Sequence, residues 1–255
     1  MSATLIFTAI ASGAFIGAVL GLIGAGGAMV SVPILLYLFD FSPLHATTAA
    51  LAVVFLAAFA GVIPKMRSKD VLVKEAVTIW ALGLVTNIGL GLIVTKIPDL
   101  VILIGFSLVL IGAGYSMLRA PISVRPEKKM PIWALILLSL LIGCLTGLFG
   151  IGGGFLAIPV LVLFFHTPQN KAAGTSLLII TLNCLTALLA KHAIWSEINW
   201  RYPLIIAICA LVIAWVSSRL APKAPTVHLK RGFAFLLFAI AAFTIIKSYL
   251  FKGDL

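Results

Sequence analysis

One glycine-rich phrase occurs twice in this chain. Gly21-Leu-Ile-Gly-Ala-Gly-Gly27 returns, without a gap, as Gly147-Leu-Phe-Gly-Ile-Gly-Gly153, 126 residues later. At that spacing Gly13, Gly17, Pro33, Phe39, Ala46, Leu51 and Lys65 meet Ser139, Gly143, Pro159, Phe165, Ala172, Leu177 and Lys191. A register held over about fifty positions marks two homologous halves. Both copies lie inside long uncharged stretches, where consecutive glycines interrupt a helix in a setting that seldom tolerates interruption.

Composition places those stretches in lipid. The chain is 62% hydrophobic and 10% charged, against about 25% charged residues in soluble proteins. No Asp, Glu, Lys or Arg occurs from Met1 to Phe39, or from Met130 to Asn170. Either stretch as one straight helix would overrun a hydrocarbon core of about 30 Å, so each must break or turn back. The first stretch lacks a basic leader and its glycine-spaced pattern reappears around Ile132–Gly147, so a cleaved signal peptide is not expected.

Each half resolves into five apolar segments: 3–23, 28–40, 44–64, 75–96 and 99–119, then 131–149, 154–166, 171–190, 201–219 and 231–250. The expected units are residues 1–120, a cytoplasmic linker 121–130, and residues 131–255. The fold class is an all-α polytopic membrane protein, with ten segments in two inverted repeats of five. Eight full spans plus two re-entrant segments remain the alternative, because the second segment of each half is short. Basic residues cluster at Lys65/Arg67/Lys69/Lys74, Arg119/Arg125/Lys128/Lys129 and Arg219/Lys223/Lys230/Arg231. The inverted arrangement gathers all three clusters on the cytoplasmic side, as the positive-inside rule asks, and leaves both termini outside. The net charge of +11 is read as orientation, and no nucleic-acid partner is expected because no aromatic residues interleave the clusters. The lipid bilayer is the expected partner; a homo-oligomer is compatible with the sequence and not required by it.

A helix that restarts after a glycine break points free N–H groups and a positive dipole end back at the break, which suits an anion. Gly24, Gly26 and Gly27, with Gly150, Gly152 and Gly153, are therefore candidate substrate-binding residues, two such ends near the mid-plane making one cradle. Neither copy is a phosphate-binding P-loop, since no Lys-Ser/Thr follows. Thr47 and Thr48 open the third segment, and Gly174, Thr175 and Ser176 hold nearly the same place in the second half. Their hydroxyls can donate to an anion or cap the helix. Asn183 is a candidate contact deeper in that span, and Asn87 a weaker one. The stripes Gly13/Gly17/Gly21 and Ser139/Gly143/Gly147 are read as packing surfaces.

All seven acids lie at or beyond segment ends, so a carboxylate relay for ion coupling is not expected. His45 and His166 are read as interfacial anchors. Lys65 and Lys191, repeat partners, are read as snorkelling to the interface, with an electrostatic lure for anions as the sharper reading. Cys144, Cys184 and Cys209 are read as small apolar residues. The chain offers no catalytic constellation, metal cluster or cofactor fingerprint, which speaks against an enzyme.

Gly147-Leu-Phe-Gly-Ile-Gly-Gly-Gly-Phe-Leu-Ala-Ile-Pro159, followed by Ala172-Ala-Gly-Thr-Ser-Leu177, resembles the sulfite exporter TauE/SafE family of permeases. Gly21 to Pro33, followed by Ala46-Thr-Thr-Ala-Ala-Leu51, looks like the same motif in the other half, with Thr48-Ala49-Ala50 in place of Gly-Thr-Ser. The resemblance implies export of sulfite, sulfoacetate or another organosulfonate across the bacterial plasma (inner) membrane, by alternating access between the halves. A passive anion channel, or a permease for an unrelated small anion, is the alternative.

Overall fold

The computed structural model describes residues 3–118, 131–163, 167–221 and 226–250. The linker 121–130, His166 and the cluster from Arg119 to Lys129 lie outside the described residues. The described residues form α1 (Ala3–Ile23), α2 (Gly27–Leu38), α3 (Pro43–Arg67), α4 (Val73–Ile93), α5 (Asp99–Leu118), α6 (Ile132–Phe149), α7 (Gly154–Leu163), α8 (Gln169–Ala190), α9 (Arg201–Leu220) and α10 (Thr226–Leu250). Short 3-10 turns follow α4 (Val94–Lys96) and α8 (His192–Glu197). Within the described residues, the apolar stretches read from the sequence are helical. Among the described residues, five helices are long and apolar enough to cross a membrane: α1, α3, α4 with its 3-10 turn, α8 and α9. The 12 residues of α2 reach only about 18 Å.

α3 and α8 form the core. Along α3, Val53, Val54, Ala57 and Ala58 are wholly buried, as are Leu177, Ile179, Cys184 and Ala187 along α8. The outer helices turn Phe7, Val85, Leu108, Ile208 and Phe235 outward, an apolar belt suited to lipid. α3 and α8 run antiparallel. Gly61 faces Leu177, and near the end of α3 Lys65 lies against Gly174 at the start of α8.

Packing crosses the boundary between the sequence halves. α1 packs along α9 and α4 along α6. In both seams small residues let backbones touch. A Cβ on Gly13 would stand 2.5 Å from Ile206 O, on Gly17 2.5 Å from Ala210 O, and on Gly147 2.5 Å from Asn87 O. The two small-residue stripes are thus packing surfaces, and each joins the first helix of one half to the fourth helix of the other. α9 also lies on α3 and α4 on α8, while α5 pairs with α10. The result is two mixed bodies, α1–α2–α3–α9 and α6–α7–α8–α4, meeting along α3 and α8. Each sequence half lends its fourth helix to the other body.

Candidate functional site

Both glycine phrases break the helix. Gly24 (φ 79°) and Gly26 (φ 92°) in the first, with Gly150 (φ 68°), Gly152 (φ 73°) and Gly153 (φ 68°) in the second, occupy left-handed backbone that costs a side-chain-bearing residue strain. Gly24 N donates to Leu20 O, and Gly150 N to Thr146 O, the same closure 126 residues apart. Gly27 begins α2, with Gly26 O accepting from Met29 N at 2.8 Å.

The breaks are filled by the α3–α8 pair. A Cβ on Gly24 would stand 2.5 Å from Cβ of Ala173, and one on Gly150 2.5 Å from Thr47 O. These contacts are again 126 apart on both sides, 24 to 150 and 47 to 173. Gly152 turns toward the middle of α8, against Ile180 and Cys184, and Gly153 packs on Ile142. Thr47 and Lys65 are 18 residues apart, so the openings of the two breaks lie about 27 Å apart along α3. No backbone hydrogen bond joins the breaks among the described residues. Gly24 and Gly150 thus lean on opposite ends of the α3–α8 pair, whereas Gly152 reaches its middle.

The candidate hydroxyls are engaged as well. Thr47 Oγ1 and Thr48 Oγ1 both donate to Leu44 O, at 2.9 and 2.8 Å. Thr175 Oγ1 donates to Lys171 O at 2.7 Å and accepts from Leu72 N at 3.0 Å. Ser176 Oγ donates to Gly154 O at 2.8 Å, fastening the start of α7 to α8. Gly174 gives room to the carbonyl of Asp70. These hydroxyls brace their own helices or join elements of one body, and they keep no hydroxyl hydrogen for a ligand.

Three unmet polar atoms, of Asn87, Asn183 and Lys191, gather along the seam of α4, α6 and α8, apart from those of Trp80 and Thr244. Asn87 Nδ2 donates to Asn183 O (3.1 Å), Asn183 Oδ1 (3.2 Å) and Thr186 Oγ1 (2.8 Å). Both amides are wholly buried, yet Asn87 Oδ1 and Asn183 Nδ2 have no partner. A buried amide atom left unpaired costs about 1–3 kcal/mol. One turn beyond Asn87 on α4, Gly91 leaves space where a Cβ would lie 4.0 Å from Cε of Lys191 and 3.9 Å from Gly147.

Lys191 does not snorkel. It is 2% exposed and its Nζ, also buried, has no hydrogen-bond partner among the described residues. Lys65 is buried to the same 2%, so the interfacial expectation fails for both. The reason is the close packing around them: Gly174 presses on the stem of Lys65, and the small residues Gly91 and Gly147 let the stem of Lys191 lie between helices. Lys191 follows the last turn of α8, where burial without a compensating charge lowers its pKa to about 8. His45 is partly exposed, and its Nε2 meets Glu197 Oε2 at 3.3 Å.

Sequence reasoning singled out Asn183 and left its partnership with Asn87 unseen. The two are not in repeat register, and only the packing of α4 on α8 brings them together. The available signal was that both amides sit in the middle of otherwise apolar spans.

A bundle of apolar helices around glycine breaks, with buried polar atoms and no metal-binding cluster among the described residues, defines a polytopic membrane transporter. Residues 9–244 match the family model described as Sulfite exporter TauE/SafE, and the chain belongs to that family. It is 28% identical over 252 residues to a probable membrane transporter protein of Xylella fastidiosa, covering 94% of this chain and 95% of that one. A probable membrane transporter protein of Methanocaldococcus jannaschii is 32% identical over 187 residues, 69% of this chain and 68% of its own. One from Bacillus subtilis is 28% identical, covering 82% and 84%.

Proposed function

We propose that this transporter is a plasma-membrane carrier that exports sulfite or a related small sulfur-containing anion, working as two inverted repeats of five segments. The observation that carries the reading is the symmetric bracing of the breaks, Gly24 on Ala173 and Gly150 on Thr47. Those equivalent contacts fall at opposite ends of two equivalent helices, α3 and α8, that run antiparallel, as inversion of the second repeat requires. Orientation follows from charge. The end where Gly24, Lys65 and the start of α8 meet also carries Arg67, Lys69, Lys171 and Arg219, which suits the cytoplasmic side.

Access alternates by rocking the mixed bodies on one another along α3 and α8, rather than by moving one sequence half against the other. Separating the bodies opens the amides around Gly26, Gly27, Gly152 and Gly153 to the passing anion, and the hydroxyls of Thr175 and Ser176 turn from their carbonyl partners to meet it. Radiolabelled sulfite flux in proteoliposomes, competed with taurine, sulfoacetate, thiosulfate and sulfate, tests this. Saturable flux that some of these block is the expected result; a silent wild-type protein sinks the sulfur-anion reading. Terminal tags that both report the cytoplasm would sink the inverted topology.

A further inference from the structure

We propose that Lys191 and Asn183, with Asn87 beside them, form the substrate-oxyanion site, and that the site is one-sided, with no counterpart in the first repeat. The inference rests on the anion-carrier reading and names the residues that would do its binding. Lys191 Nζ carries three N–H donors and gives none away. Asn183 Nδ2 is the second idle donor, two turns earlier on α8. Both lie on the α4-facing side of that helix, since Asn183 accepts from Asn87 and the Lys191 stem lies against Gly91, one turn further along α4.

An unpartnered ammonium in an apolar interior is costly, and the remedy the surroundings omit is a negative charge. The end of α6 passes close by, and a helix C-terminus favours cations, but none of its carbonyls accepts from Nζ. A small oxyanion supplies what is missing. One oxygen takes charge-assisted hydrogen bonds from Lys191, another accepts from Asn183 Nδ2. Asn87 Oδ1 then takes a hydrogen from an O–H of the ligand or from a water that enters with it.

The repeat supplies a control. At the equivalent positions, 126 residues away, Asn183 becomes Ala57, Thr186 becomes Ala60 and Asn87 becomes Ile213. Lys65 stands in the place of Lys191, but Asp70 is near enough to attract it electrostatically. Binding thus belongs to the Lys191 end, the end away from Arg67, Lys69 and Lys171.

The wild type, Lys191→Met, Asn183→Leu and Lys65→Met are melted with and without sodium sulfite or sodium sulfate, and their sulfite flux is measured in proteoliposomes. The anion should raise the melting temperature of the wild type and of Lys65→Met, leave Lys191→Met unmoved and shift Asn183→Leu less. Flux should fall at least ~tenfold in Lys191→Met, as expected for loss of a charge-assisted partner. Without anion, Lys191→Met should melt no lower than wild type, because a thioether needs no partner there. If Lys191→Met does not assemble, Asn183→Leu carries the test alone. Wild-type shifts and flux in folded Lys191→Met and Asn183→Leu would overturn the site and leave the carrier reading standing. Equal losses in Lys65→Met would overturn its one-sidedness. A wild type with neither shift nor flux would defeat the carrier reading, and the site with it.

Discussion

The two ends of the α3–α8 pair share a backbone plan and differ in what they leave unfinished. At one end Lys65 has Asp70 nearby, and the turn that follows closes on itself. Asp70 N donates to Lys65 O at 2.9 Å, Ser68 Oγ donates to Asp70 Oδ2 at 2.8 Å, and Leu72 N reaches across to Thr175. At the other end Lys191 stands alone, and the one ion pair among the described residues, His45 with Glu197, is spent at the surface. The matching placement of glycines and small residues sets where helices break and cross at both ends. It does not fix the chemistry, which needs only a few exchanges of Ala or Ile for Asn and Thr to become polar on one side.

The severest way to break the comparison is to attack what the ends have in common. Gly150→Leu and Gly24→Leu each place a side chain on left-handed backbone and within 2.5 Å of a neighbour. Both should cost more than ~4 kcal/mol and lower the yield of folded protein alike, as size-exclusion profiles would show. A loss at only one end would mean that the two breaks are not equivalent.

Acidity separates the ends next. With its pKa near 8 in the folded protein against 10.5 ordinarily, Lys191 is charged below pH 8. Stabilisation by sulfate, a dianion throughout, should therefore fade as pH rises through about 8. Over the interval from about 8 to 10.5 the unfolded chain binds the proton that the folded one has released, so unliganded stability should rise. The other titratable groups nearby are His45, His192 and Glu197. Melting curves at closely spaced pH would show both trends, and Lys191→Met should flatten them.

A double-mutant cycle between Asn87→Leu and Asn183→Leu should give a coupling of about 0.5–2 kcal/mol, read from reversible unfolding in detergent. Ala57 and Ile213, their repeat equivalents, should couple by less. Glu197→Gln should have the smallest effect, under about 1 kcal/mol, and should vanish at high salt. A larger loss would make the His45 pair a clasp between the two bodies.

Much of the fold was legible because it rests on local signals. Uncharged runs located the helices, and the glycine phrases located their interruptions. The stripes at Gly13 and Gly143 announced close packing. Their partners were not legible, since a small residue says that something comes near and not what does. Hence the exchange of fourth helices went unread. The site was legible in part. Asn183 stood out as an amide in an apolar span, whereas Lys191 resembled any lysine at a helix end until the packing at Gly91 and Gly147 showed that its head never reaches water.

The exchange of fourth helices also bears on how the chain is made. As α1 enters the membrane its stripe of small residues faces lipid, and the helix that fits it, α9, is encoded almost two hundred residues later. α4 likewise waits for α6. Neither half synthesised alone holds a complete body, so each should be a short-lived orphan exposed to quality control. Two fragments divided within 121–130 and expressed together should rescue one another, because the seams that unite them lie in the membrane and not in the connection between them.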